Sequence, residues 1–333
     1  MERAEESGTP QGASYDAVVI GGGAAGLNGA LVLSRARRSV AVVDAGDPRN
    51  APAAQIHNYL GREGAAPSEL YGTGRDEVRS YGGTILEGQA STVRPNPDGG
   101  FTVLLADGRE LGARRILAAS GVRDILPDIP GIAGRWGSTV LHCPYCHGWE
   151  AREKAIGILG TDMDVAMHQA LLWRQLSDDV VVFLHTAGEP DAGQARQLAA
   201  RGIRTVAGEV VGVEGTGAAV RLAGGELVER DALVVFTRLE ARAGYLADLG
   251  LVPAEQYMGE APLGTAVPAG PTGVTSVPGV YIAGNLANPS VQVIAAAAAG
   301  LMAGAAINAD LVAEDTALAV ASAAGMPGVS QAS

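Results

Sequence analysis

The chain has 333 residues, enough for two domains or one large one, and its 47% hydrophobic content and 47 glycines fit an α/β protein with many tight turns. A formal net charge of −12 with no basic stripe argues against nucleic acid and anionic membrane surfaces as partners. Residues 1–13 are acidic and polar, without the features of an export signal, and no uninterrupted apolar run reaches the roughly 18 residues a bilayer span needs. The sequence therefore predicts a cytoplasmic protein with a disordered tail at 1–13.

In chain order, 15–20 is a short apolar run of the buried parallel-strand kind, leading into a G-x-G-x-x-G segment that opens a predicted helix over 24–37. A second strand over 39–43 ends in Asp44. Strand, glycines, helix, strand and acid in this order predict a dinucleotide site. Gly21 permits the turn, Gly23 lets a pyrophosphate approach the backbone, and Gly26 lets helix pack on strand. The helix start at Ala24 and Ala25 supplies amides for the phosphates, and Asp44 accepts from a ribose. In the loops that follow, Asn50 and Asn58 are expected to face the cofactor rings, while His57 reads as an ordinary loop histidine. A helix is predicted over 69–81, a hairpin over 101–111, and a buried strand over 115–121 whose small end, Ser120 and Gly121, suits close approach to a ligand.

Next comes the only pair of cysteines, Cys143 and Cys146, separated by two residues and flanked by His142 and His147. Such spacing lowers one thiol pKa and lets the pair cycle between dithiol and disulfide, with imidazoles at hand to move protons. Haem attachment would require export, and two Cys and two His within six residues crowd a tetrahedral zinc cage, so no metal is expected. Two inert buried thiols remain the bland alternative.

From 154 the β-α-β pattern repeats, with Gly157 and Gly160 kept but Asp162 and Asp164 standing where a pyrophosphate would sit. No arginine follows the next strand to pair a 2′-phosphate, so NADPH binding is doubtful. Residues 237–242 read as a linker. A strand over 279–283 reaches Gly284 and Asn285, and Gln292 and Val293 open a long Ala-rich helix predicted to end near Val312, with 313–333 a mobile tail.

Together these residues resemble the thioredoxin-reductase-like flavoproteins over nearly the whole chain. The resemblance implies an α/β fold of two Rossmann-like, three-layer ββα dinucleotide-binding domains, the second inserted in the first. FAD would be bound by 14–121 plus 243–312, and 122–242 would be a degenerate NAD(P)-type domain. It assigns Gly21, Gly23, Gly26 and Asp44 to the ADP half of FAD, and Gly284, Asn285, Gln292 and Val293 to the ribityl-isoalloxazine part. Cys146 would lie against the flavin and Cys143 would be the outer, exchanging thiol. The run from Cys143 to Glu150, with His147 where thioredoxin reductases carry an acid, looks more like the dithiol oxidases of gliotoxin and holomycin biosynthesis. That resemblance implies a small dithiol as substrate, O2 as acceptor, a homodimer, and Asn50 in a proton relay, with His142 or His147 as base. An NADPH-dependent disulfide reductase and a non-enzymatic flavin redox sensor are the alternatives.

Overall fold

The computed structural model describes residues 12–324; the ends of both predicted tails, 1–11 and 325–333, lie outside the described residues. The first sheet is built on Ser14–Ile20, whose buried Val18, Val19 and Ile20 face cores on both sides. Parallel to it on one side run Val40–Asp44 and then Thr84–Glu87, and on the other Glu110–Ala118. That last strand forks. Its first half carries the antiparallel strand Phe101–Leu105, itself paired to Ala90–Pro95, and its second half carries the parallel strand Val280–Ile282. Predicted pieces at 109–111 and 115–121 are thus one strand. Helices α1 (Ala24–Arg35) and α2 (Pro67–Ser80) cover one face of the sheet, and the antiparallel pair helps close the core on the other.

The arrangement recurs. Five parallel strands, in the order Arg204–Val206, Val180–Phe183, Ile156–Leu159, Ala232–Val234 and Val140–Leu141, make a second sheet. The short helix α3 (Pro144–His147) follows Val140–Leu141, and α4 (Met163–Trp173) and α5 (Ala192–Ala200) pack on the sheet around Trp173. A three-stranded antiparallel layer spanning Val210–Glu214, Ala219–Leu222 and Leu227–Val228 covers its other face. The fold is α/β, two Rossmann-like three-layer units.

Between the units, Val122–Ile125 lies antiparallel to Arg238–Ala241 in a small sheet with Ala254–Met258 and Ala261–Ala266. The predicted linker at 237–242 is therefore mostly a strand; Thr237 is fully buried and its hydroxyl donates to Asp124 at 2.7 Å. An isolated reading misses this because the strand's partners are distant in sequence.

The last helix, α6 (Val293–Ala324), corrects the predicted stop near Val312. No glycine or proline stands between Val312 and Ala324, and acids on its far half meet arginines of the first sheet and its connections. Asp310 is 2.7 Å from Arg115 and Asp315 is 2.6 Å from Arg38. By length and hydropathy α6 could cross a bilayer, but its glycines sit against α1: a Cβ on Gly300 would fall 1.9 Å from the Ala25 carbonyl oxygen.

Candidate active site

One cavity of about 1160 Å³ runs from the first glycine turn to the cysteine pair, larger than the roughly 300–1,000 Å³ of ordinary small-molecule pockets. At its nucleotide end the glycine roles separate. Gly21 has φ +113°, and a Cβ there would lie 2.4 Å from the Ala119 carbonyl oxygen. Gly26 is off the wall, pressed so closely that its Cβ would lie 1.8 Å from the Gly21 oxygen. A Cβ on Gly23 would meet nothing within 4 Å, so this residue presents bare backbone to the cavity. No side chain caps α1, and Ala24 and Ala25 line the wall, so the amides that bind an anion are not consumed by a cap. Asp44 follows, held by the Gly46 amide at 3.0 Å and Arg75 at 3.2 Å.

Further along, Tyr71 donates its hydroxyl to Asn50 Oδ1 at 2.9 Å, orienting the Asn50 amide on the wall. Burial raises the Tyr71 pKa, keeping it a donor. Ser120 lines the cavity while its Oγ donates to the Arg242 carbonyl at 2.7 Å, and Gly121 takes φ +71° beside it. Gly284 lies behind the wall, with φ +69° and no room for a Cβ against Ala25. The Asn285 amide donates to the carbonyls of Pro289 and Val291, both at 2.9 Å, closing the loop that presents Gln292 and Val293 at the start of α6.

One expectation is corrected. Asn58 does not line the cavity; in a left-handed conformation (φ +59°), it donates Nδ2 to the Tyr145 carbonyl at 2.6 Å. It holds the cysteine helix instead of a ring system. Two further ties cross between the same segments: Arg49 makes a two-pronged pair with Asp124 at 2.7 and 2.8 Å, and Arg242 meets Asp47 at 2.9 Å. Burial opposes ionisation of Asp124, but the Arg49 fork holds its carboxyl below the usual range. Sequence reading missed the roles of Arg49, whose partner Asp124 lies 75 residues on, and of Tyr71, which orients the predicted Asn50.

Cys143 and Cys146 are free thiols at the two ends of one α3 turn, within hydrogen-bond contact. The Cys146 hydrogen bond, reinforced by the amides of Tyr145 and Cys146 and by the Gln292 side chain, brings Cys143 down to about 7 despite burial. Cys146, donating to Cys143 and buried, is pushed up and keeps its proton. Burial lowers both flanking histidines, so each is neutral. His142 Nδ1 is 3.3 Å from the Val235 carbonyl oxygen, which can only accept; the proton sits on Nδ1, and Nε2 is left as a base. His147 has both ring nitrogens buried without a partner among the described residues. Replacing Gln292 by Leu removes one donor to the Cys143 thiolate. The pH midpoint for iodoacetamide alkylation of the reduced protein should then rise from near 7, with slower labelling at neutral pH. An unchanged midpoint would disprove the contact.

The second nucleotide turn is blocked by its own side chains. Asp162 caps α4, its Oδ1 accepting from the Val165 amide at 3.0 Å, and Asp164 takes the Gln194 amide at 2.8 Å. The helix terminus that would receive a phosphate already holds a carboxylate.

A model of the pyridine nucleotide-disulphide oxidoreductase family matches residues 15–300. The chain is 33% identical over 312 residues to thioredoxin reductase tcpT of Claviceps purpurea, covering 89% of this chain and 95% of that one. It is 31% identical to thioredoxin reductase sirT of Leptosphaeria maculans, covering 88% and 93%. Among solved structures, that of HlmI superposes with a TM-score of 0.85 at 43% identity, covering 94% of this chain and 96% of that one.

Proposed function

The chain belongs to the pyridine nucleotide-disulphide oxidoreductase family, whose thioredoxin-reductase-like members bind FAD, and from that membership we propose that it is a cytoplasmic dithiol oxidase closing a disulfide within a small dithiol. The observation that carries this reading is the pairing of an open first nucleotide turn, joined by one cavity to the thiols, with a second turn plugged by Asp162. The bare Gly23 backbone and uncapped α1 start fit a pyrophosphate, Asp44 a ribose, and Asn50, Asn285, Gln292 and Val293 the ring portion. In this reading 14–121 and 243–312 hold FAD and 122–242 carries the thiols. FAD when bound supplies a two-electron acceptor that keeps one proton with the electrons and passes both electrons to O2 as peroxide.

The protein's own part is thiol exchange and proton transfer. His142 Nε2 takes the proton of an incoming substrate thiol, which attacks the Cys143–Cys146 disulfide at Cys143. Cys146 leaves as the thiol, the form its environment favours, taking up the proton that the imidazole removed from the substrate. The substrate's second thiol then displaces Cys143, whose pKa near 7 makes it a good leaving group, and cyclic disulfide is released. A second copy of the chain is placed along α6, where Ile294, Leu301, Met302 and Val312 are exposed.

Under anaerobic conditions, dithiothreitol should bleach the flavin-loaded protein within seconds while NADPH leaves it yellow. In air, each disulfide formed should consume one O2 and yield one peroxide. Rapid bleaching by NADPH would instead favour the reductase that the relatives' names suggest. Monomeric sedimentation would overturn the dimer.

A further inference from the structure

The residues 56–65 form a strap whose ends are joined by two backbone bonds, Ile56 N–H to the Ala65 carbonyl at 2.8 Å and Gly64 N–H to the Ile56 carbonyl at 2.9 Å. Inside it, Glu63 binds twice: Oε1 lies 2.6 Å from His57 Nδ1, and Oε2 accepts from the Asn58 amide at 2.8 Å. Asn58 then clips the strap to the Tyr145 carbonyl, between the two cysteines. His57 Nε2 points the other way, 3.6 Å from Glu150 Oε1, just beyond α3. One imidazole thus bridges two carboxylates. Its ring lies on the cavity wall, whereas Glu63 is 64% exposed.

The thiol site needs such an outlet. Oxidising a dithiol to a disulfide releases two electrons and two protons. If the cofactor retains one proton, the other must leave the thiol site and return when O2 becomes peroxide. His147, next to Cys146 in the chain, has no hydrogen-bond partner of its own, and the charged neighbours it feels are Glu150 and His57. The strap's acid in contact with His57 is Glu63, whose carboxyl is held below the usual range by the His57 hydrogen bond; Tyr59 and Arg62 are its other titratable groups.

We propose that His57 is the proton outlet of the redox site: the proton that leaves the thiol site passes through His57, on the same cavity wall and hydrogen-bonded to the exposed Glu63, to solvent, and returns the same way. A ring with a carboxylate at each nitrogen can accept on one side and release on the other. The Asn58 clip keeps it registered against α3. This inference rests on the dithiol-oxidase reading, in which His142 takes the substrate's proton; His57 passes it on and does not touch substrate.

The test uses the flavin-loaded protein mixed anaerobically with dithiothreitol in weak buffer. Loss of the flavin band and proton release to phenol red are followed together for wild type, His57→Ala and His57→Gln. Gln can keep the bond to Glu63 and the strap's shape but cannot relay a proton. Both variants should slow proton release and bleaching by roughly 100-fold. Added imidazole should restore His57→Ala, which leaves space for it, and not His57→Gln. Proton release at the wild-type rate in His57→Gln, or a His57→Ala deficit indifferent to imidazole, would overturn the outlet. Failure of dithiothreitol to bleach the wild type would defeat the dithiol-oxidase reading instead, so the two failures are separable.

Discussion

Cys143→Ser and Cys146→Ser are each expected to reduce dithiol-dependent O2 uptake by at least about a thousand-fold, because a hydroxyl neither forms a disulfide nor leaves from one. The two variants should nevertheless behave differently towards a thiol reagent. In Cys146→Ser the new hydroxyl still donates to Cys143, and the amides of Tyr145 and Cys146 together with Gln292 remain the other donors to that thiolate. Cys143 should therefore react quickly with 5,5′-dithiobis(2-nitrobenzoate) at neutral pH. In Cys143→Ser the remaining thiol is buried, and what the structure gives Cys146 in its place is a neighbour that accepts its proton, so labelling should be slow. Cys146→Ala makes the cause visible: it removes the largest donor to Cys143, and the labelling midpoint should move up from near 7. Uptake within tenfold of wild type in either serine variant would remove the thiol pair from the reaction. Equal labelling rates would remove the asymmetry between the two sulfurs.

That asymmetry marks the limit of what sequence could supply. The C-x-x-C spacing predicts a low-pKa thiol but not which one; the choice is made first by which sulfur accepts from the other thiol, then by which faces the amides of a single helical turn, with Gln292, nearly 150 residues downstream, adding to it. The glycine turn was legible because every role in it is local: a positive φ at Gly21, a helix contact at Gly26, open backbone at Gly23. Likewise the damage to the second turn could be read directly, since Asp162 caps the helix it begins. Asn58 was misplaced for the opposite reason: its partner, the Tyr145 carbonyl, belongs to the other unit, and a backbone carbonyl leaves no trace in a sequence pattern. The length of α6 escaped in a similar way, because its last turns are held by Arg38 and Arg114 in earlier elements and not by an amphipathic repeat.

Gly300→Ala should cause a large loss of stability for the addition of a single methyl. Its Cβ would fall 1.9 Å from the Ala25 carbonyl oxygen and 2.9 Å from the Ala25 Cα, and all three nearest atoms are backbone, so no side chain can swing away. Relief requires α1 and α6 to separate, and overpacking of this kind costs about 3 kcal/mol, or roughly 4 °C in Tm for a chain of this size. The movement also reaches the proposed cofactor site from both sides. Ala25 belongs to the helix start that lines the nucleotide end, and α6 begins beside Gln292, which donates to Cys143. FAD affinity should therefore fall along with stability, by tenfold for about each 1.4 kcal/mol of lost binding energy. Gly72→Ala is the control with the opposite sign. It lies inside α2 with nothing within 4 Å of its Cβ, so the added methyl should stabilise the helix by about 0.5–1 kcal/mol. Melting of the apo and FAD-loaded proteins by circular dichroism, with flavin affinity from fluorescence quenching, tests both. Equal melting of Gly300→Ala and wild type would mean that α1 and α6 do not approach through their backbones, and the link from helix packing to the thiol pair would fall with it.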